Sequence, residues 1–396
     1  MRESYFDIVI SIVCNNITLS RYDWDTFETS WDFTYNPLYA TYHLGKPTIT
    51  HNAQDNSLLI SNAGAKEDKT LSQCYEEYKN CTNEMFALLK ANEEELNRIF
   101  IEIYGFQEEL TTEVADKDVT IASIFDSKED IPDSYKGNNY VLNWEDVVKN
   151  LISYAVGCLF GRYSLKKPGL IYAGGDWGTI AAENWSEEEL ARGIPDNDNV
   201  LPITDEVYFE DDIAGRFVRW LADAFGTAHL EENLNFIADA LSVKGANSRD
   251  IIRNYFLTGF YKDHVQKYQK RPIYWLYDSG KANGFKALVY MHRYDADTTG
   301  RVRMDYLHRM EQTYGDEINR LATDISEASD NREKARLQKR LLKLQKQAKE
   351  CQDYDELIGH LALERIVIDL DDGVKVNYEK VQTDRNGKKY QILGKI

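Results

Sequence analysis

The chain has 396 residues, 43% of them hydrophobic and 7 of them proline, which excludes a disordered protein and allows a large core; length alone suggests two or three domains. A formal net charge of −19 excludes nucleic-acid binding over the whole surface but not a local basic face. The five cysteines include no CxxC pair, so no zinc site is read, and free thiols point to a reducing compartment, the cytoplasm. Residues 8–13 are an apolar run too short to cross a bilayer and carry no cleavage site, so neither a membrane span nor a signal peptide is expected.

The expected architecture is mixed α+β and predominantly helical: a helical domain, a small β-hairpin unit, a long antiparallel helical hairpin and a short C-terminal β-hairpin. Residues 1–66 read as an irregular, aromatic-rich segment in which Tyr22, Trp24, Phe27, Trp31, Phe33, Tyr35, Tyr39 and Tyr42 crowd together. Residues 67–243 read as a mainly helical domain. Within it, Met85, Leu88, Leu89, Leu96, Ile99 and Ile103 recur at helical spacing over 71–104, and Gly105 is the stop. Residues 106–142 are expected to be a loop-rich connector. Asn143 can cap the next helix, which is apolar on most sides and therefore a core element. The glycine-rich stretch 173–178 lacks both the GxGxxG spacing and the GKS/T ending of phosphate-binding loops and reads as a flexible loop. Further helices are expected over 205–225, from Leu230 to Leu241, and after a cap at Ser248.

Residues 244–310 form a basic region, in which Lys and Arg outnumber Asp and Glu roughly two to one against the trend of the chain. At its centre, two β-rich runs around 273–277 and 285–294 flank a glycine-containing loop, the pattern of a hairpin. Lys262, Lys267, Lys270, Arg271, Lys281, Lys286 and Arg293 lie on or beside it, interleaved with aromatics. Such a surface suits phosphates and bases; the alternative is a core hairpin with solvated lysines. Strand alternation puts Tyr274 and Trp275 on opposite faces, which leaves one of them for the core.

Residues 311–352 read as two antiparallel helices that meet at Asp330-Asn331. The second carries Arg332, Lys334, Arg336, Lys339, Arg340, Lys343, Lys346 and Lys349, a face that could follow DNA phosphates or simply be solvated. Residues 353–396 are expected to hold a short helix and a β-hairpin over 366–378 that turns at Asp371-Asp372-Gly373.

Several stretches together carry a resemblance: KRPIYWLYDSGKANGFKALVYMHRYDADTTGRVRMDYL (270–307), FETSWDF (27–33), NEEELNRIFIEIYG (92–105), SYAVGCLFGRYSL (153–165), DEVYFEDDIAGRFVRWL (205–221) and IDLDDGVKVNY (368–378). Over nearly the whole chain they resemble, in order, the C-terminal region of the adenine-specific DNA methyltransferases of BREX phage-defence systems, the PglX family. The resemblance implies a DNA-engaging or specificity portion without the catalytic core. S-adenosylmethionine would then belong to the complete enzyme, and this chain would bind no cofactor or metal itself. The implied partners are double-stranded DNA, a methyltransferase catalytic chain or domain, and other defence-system proteins, with no membrane involved. The alternative is a protein-interaction module that docks the methyltransferase to those components.

Two stretches approach catalytic patterns. Asn36-Pro37-Leu38-Tyr39 is near the Asn-Pro-Pro-Tyr motif that holds an extruded adenine, but Leu38 replaces the second proline and no cofactor loop precedes it, so a turn is expected. Asp68 with Glu77-Tyr78-Lys79 mimics a nuclease pattern, but in a helical context.

Overall fold

The computed structural model describes residues 2–52, 57–64 and 68–396; the expected segment boundary at 66/67 lies outside them. In chain order the helices and strands are α1 (Arg2–Asp25), α2 (Pro37–Leu44), β1 (Lys46–His51), β2 (Leu58–Ala63), α3 (Leu71–Tyr104), β3 (Ser123–Phe125), β4 (Val141–Asn143), α4 (Trp144–Phe160), α5 (Trp177–Asn184), α6 (Glu187–Ala191), β5 (Leu201–Pro202), α7 (Ile213–Phe225), α8 (Leu230–Ala240), α9 (Ser248–Thr258), α10 (Phe260–Lys267), β6 (Tyr274–Asp278), β7 (Lys286–Tyr290), α11 (Thr298–Arg301), α12 (His308–Glu327), α13 (Asn331–Ala362) and α14 (Gly373–Lys380). The chain is thus mixed α+β and predominantly helical, with small sheets of two or three strands. It divides into two compact units. The first comprises residues 1–155, 165–170 and 221–242, and the second comprises 156–164, 171–220 and 243–396.

In the first unit, α3 has the bounds its periodicity predicts. Thr70 and Gln73 close a reciprocal capping box, and Gly105 ends the helix at φ 74°, where a side chain would be strained. Leu19 of α1, Leu58 and Ile60 of β2, and Met85, Phe86 and Leu89 of α3 share one core with Val119 and Ile121. The connector over 106–142 carries two 3₁₀ turns and the short parallel pair β3–β4. Asn143 caps α4 as expected: its Oδ1 accepts from Asp146 N at 3.2 Å, and Asp146 Oδ2 accepts from Asn143 N at 3.0 Å. The N-terminal stretch departs from expectation. It opens with a 24-residue helix, α1, rather than irregular chain. Its apolar residues lie on opposite sides, so they give no single helical stripe for a periodicity argument to find.

In the second unit, β6 and β7 pair antiparallel from Tyr274↔Tyr290 to Asp278↔Lys286, and β5 adds on the far edge of β7. Trp275, Tyr277 and Val289 pack with Tyr314 of α12 and with Leu344, Cys351 and Tyr354 of α13 in one core. The antiparallel pair α12–α13 turns where the sequence indicates, with the Asp330 carboxylate accepting from the N–H groups of Arg332 and Glu333. The helix expected over 353–364 is the continuation of α13. The helix expected from residue 205 starts only at Ile213, because the Asp212 carboxylate accepts from Gly215 N at 2.6 Å and fixes the first turn there.

The C-terminal β-hairpin over 366–378 is corrected. Leu370–Asp372 is a 3₁₀ turn and Gly373 opens α14. The Asp369 carboxylate accepts from Asp371 N, and Asn377 Nδ2 donates to Gly373 O, so side chains close local turns that compete with a ladder. A single antiparallel bridge, Thr383↔Lys389, closes a turn further on.

Candidate nucleic-acid interface

The hairpin of the basic region folds as expected, but both of its faces are covered. Tyr274, Trp275, Leu276 and Tyr277 are all buried. The Tyr274 ring stacks on His264 at 4.6 Å and on Phe160 at 5.2 Å. Trp275 Nε1 donates to Pro272 O at 3.2 Å, and the Tyr277 hydroxyl bonds Thr299 Oγ1 at 2.7 Å. Strand alternation leaves one of Tyr274 and Trp275 for the core; both are in it, because β6 is packed on two sides, as near-continuous apolar strands are.

The seven candidate cations separate into two groups. Lys262 on α10, Lys270 and Arg271 before β6, and Lys281 in the hairpin loop are exposed; Lys267 is half-buried at the end of α10. Lys270 sits in the left-handed region at φ 61°, held by its N–H to Val265 O at 2.8 Å. The other two point inward. Lys286 Nζ donates to Leu257 O at 3.1 Å and lies 3.9 Å from Asp278. Arg293 is 8% exposed, bonds Phe160 O at 3.2 Å and Asn197 O at 3.1 Å, and lies 3.7 Å over the Trp177 ring. Burial pushes its guanidinium down to about 10, still protonated at neutral pH. Both serve the interior, because a buried cation must find acceptors. Lys270–Arg271 and Lys281 flank opposite ends of β6, a strand of five residues that spans about 14 Å at strand rise.

The hairpin loop is set by α13. The Glu350 carboxylate accepts from Ser279 Oγ at 2.8 Å, Ala282 N at 2.7 Å and Gly284 N at 2.9 Å. Gly284 lies so near α13 that a Cβ there would come 2.6 Å from Gln347 O. This anchor was invisible in the sequence, because its partners are about 70 residues apart.

The longest cationic feature is on α13 itself. Arg332, Arg336, Lys339, Lys343 and Lys346 fall at i, i+4, i+7, i+11 and i+14, within an arc of about 80° and along ~21 Å of axis. Lys343 pairs with Asp205 at 2.5 Å, and Arg336 approaches Glu333 at 3.8 Å. Arg340, off the line, pairs with Glu206 at 2.6 Å. Among the described residues, Arg332, Lys339 and Lys346 of the line, and Lys334 on the opposite side of the helix, are exposed and form no ion pair. The spacing was the available signal: five of the eight cations share one line, and Lys334, Arg340 and Lys349 fall on other sides of the helix.

The remaining motifs resolve as structure. Asn36 is buried and its Oδ1 accepts from Leu38 N at 3.0 Å, which makes it the N-cap of α2 rather than an adenine clamp. The stretch 173–176 follows no strand and leads into α5, capped by Asp176, so it does not fit a cofactor loop for S-adenosylmethionine. Glu77 pairs with Lys69, and Lys79 pairs with Glu76 and Asp126, all on or beside α3. Among the described residues no group of His, Cys, Asp and Glu is arranged to hold a metal, and no helix is long and apolar enough to cross a membrane.

No protein-family model matches the chain. It is similar to the adenine-specific methyltransferase PglX of Lacticaseibacillus casei strain Zhang, 38% identical over 379 residues that cover 95% of this chain and 28% of the relative. It is also similar to the adenine-specific methyltransferase BrxX of Escherichia coli O9:H4 strain HS, 37% identical over 373 residues that cover 92% of this chain and 28% of the relative. The chain therefore spans little more than a quarter of the length of the relatives it matches.

Proposed function

Since the chain belongs, over the stretch it shares with them, to the PglX family of adenine-specific methyltransferases, we propose that it is a DNA-engaging, non-catalytic portion of such an enzyme in a phage-defence system. One observation carries the reading: a line of exposed cations on α13, three of them without an internal ion pair, on a chain of net charge −19. An acidic protein that leaves such cations unneutralised has a local surface suited to phosphates. Lys270, Arg271, Lys281 and Lys262 extend the available positive charge, whereas Lys286 and Arg293 act inside the fold. Contacts of this kind position a duplex and carry no sequence information. Methyl transfer, S-adenosylmethionine and the extruded adenine belong in this reading to a catalytic part outside the chain, since neither Asn36 nor the 173–176 loop fits those roles.

The test is fluorescence anisotropy of the purified chain on duplex DNA as salt is raised. A linear fall of log affinity with log salt, with a slope of about −3 to −4, is expected from a few phosphate contacts. No binding at low salt, or binding indifferent to salt, would reject the reading in favour of a protein-docking module.

A further inference from the structure

Helix α1 is apolar on two opposite sides. One side carries Leu19, which is fully buried in the core of the first unit. On the other, Phe6, Ile10, Val13, Ile17 and Trp24 fall at i, i+4, i+7, i+11 and i+18, within about 40° of one line. All five are exposed, Phe6 to 66%, Ile17 to 59% and Trp24 to 58%. Trp31, 93% exposed, lines a groove of about 580 Å³ together with Val13, Ile17 and Trp24. A ridge of aliphatic and indole side chains on the outer side of a helix marks a face that is covered in the working protein.

The area says what covers it. The stripe runs ~27 Å along the axis and is ~10 Å wide, on the order of 300 Å². A free-standing dimer needs about 800 Å² per partner, so a second copy held by this stripe alone would dissociate. A tethered partner needs far less, because the link supplies a high effective concentration. The matched relatives provide such a partner: most of their length lies outside the region they share with this chain. We infer that the outer face of α1 is the seat on which the remainder of a longer methyltransferase polypeptide of this family packs, joined to this chain or expressed beside it. The inference rests on family membership and not on the DNA reading.

Thiol accessibility tests it. Cys14 lies on α1 beside the stripe and is exposed, whereas Cys74, Cys81, Cys158 and Cys351 are buried. In this chain, Cys14 and cysteines introduced as Ile10→Cys and Ile17→Cys are expected to react with a maleimide at full rate over roughly a hundredfold range of concentration. In the full-length Lacticaseibacillus casei relative, cysteines at the two corresponding positions are expected to react at least about tenfold more slowly, read by mass spectrometry of the native protein. Full-rate labelling in the full-length relative overturns the inference. So does labelling in this chain that slows as its concentration rises, which would mean that a second copy covers the face. Neither measurement involves DNA, so failure here and failure of the DNA reading are separable.

Discussion

Neutralising three cations of the α13 line, Arg332→Gln, Lys339→Gln and Lys346→Gln together, gives the sharpest prediction. All three are exposed and, among the described residues, without an ion pair, so the fold loses no ion pair. Glutamine is also a good helix former, and the unfolding free energy is expected to stay within about 0.5 kcal/mol of the parent. The effect on DNA follows from counterion release. Each phosphate contact contributes about 0.9 to the slope of log affinity against log salt. At 0.1 M salt one contact is worth about 8-fold relative to 1 M, so losing three flattens the slope by about 2.7 and lowers affinity about 500-fold. Duplexes of unrelated sequence should lose the same factor. The control is Lys343→Gln, on the same line but paired with Asp205, which should change the slope by well under the ~0.9 of one phosphate contact. Anisotropy titrations between low and moderate salt, with denaturant unfolding in parallel, measure both quantities. A slope unchanged by the triple substitution would refute the assignment of the line to phosphates.

The other predictions concern how the fold is held. Glu350→Ala removes an acceptor used by Ser279 Oγ and by the N–H groups of Ala282 and Gly284, and should cost about 3 kcal/mol in urea unfolding; a loss under about 1 kcal/mol would show that the hairpin loop does not depend on it. Arg293→Met leaves Phe160 O and Asn197 O unbonded and should destabilise by about 2–4 kcal/mol while DNA affinity stays unchanged; weakened binding in a variant of unaltered stability would restore Arg293 to the interface. Burial pushes the Asp23 carboxyl up to about 6, against the N–H of Ala122, which favours its charged form. The folded protein holds this proton more tightly than the unfolded chain, so the group's contribution is present below about pH 4 and about 3 kcal/mol is lost as pH rises through 6. Asp23→Asn should therefore reduce the fall in stability between about pH 4 and pH 7.5, and a fall of the same size in the variant would contradict the account.

Local rules carried much of the architecture. The capped, periodic α3, the Asn143 cap, the turn at Asp330 and the pairing of β6 with β7 were all legible, because each rests on residues within one element or one turn of each other. The helix α1 and the C-terminal α14 were not. The first is apolar on two sides and lacks a single stripe, and in the second the Asp369 and Asn377 side chains outweigh a sequence that also suits a tight turn. Charge was legible as composition but not as position. Lys286 and Arg293 are interleaved in sequence with exposed cations, yet their ends reach Leu257 O, Phe160 O and Asn197 O, acceptors 29, 133 and 96 residues away. Periodicity could place the cations of α13 on one line, because a helix fixes the angle between its own residues. Only the tertiary structure could decide which cations meet carboxylates brought in from elsewhere, since desolvation and pairing depend on long-range contacts that local spacing does not encode.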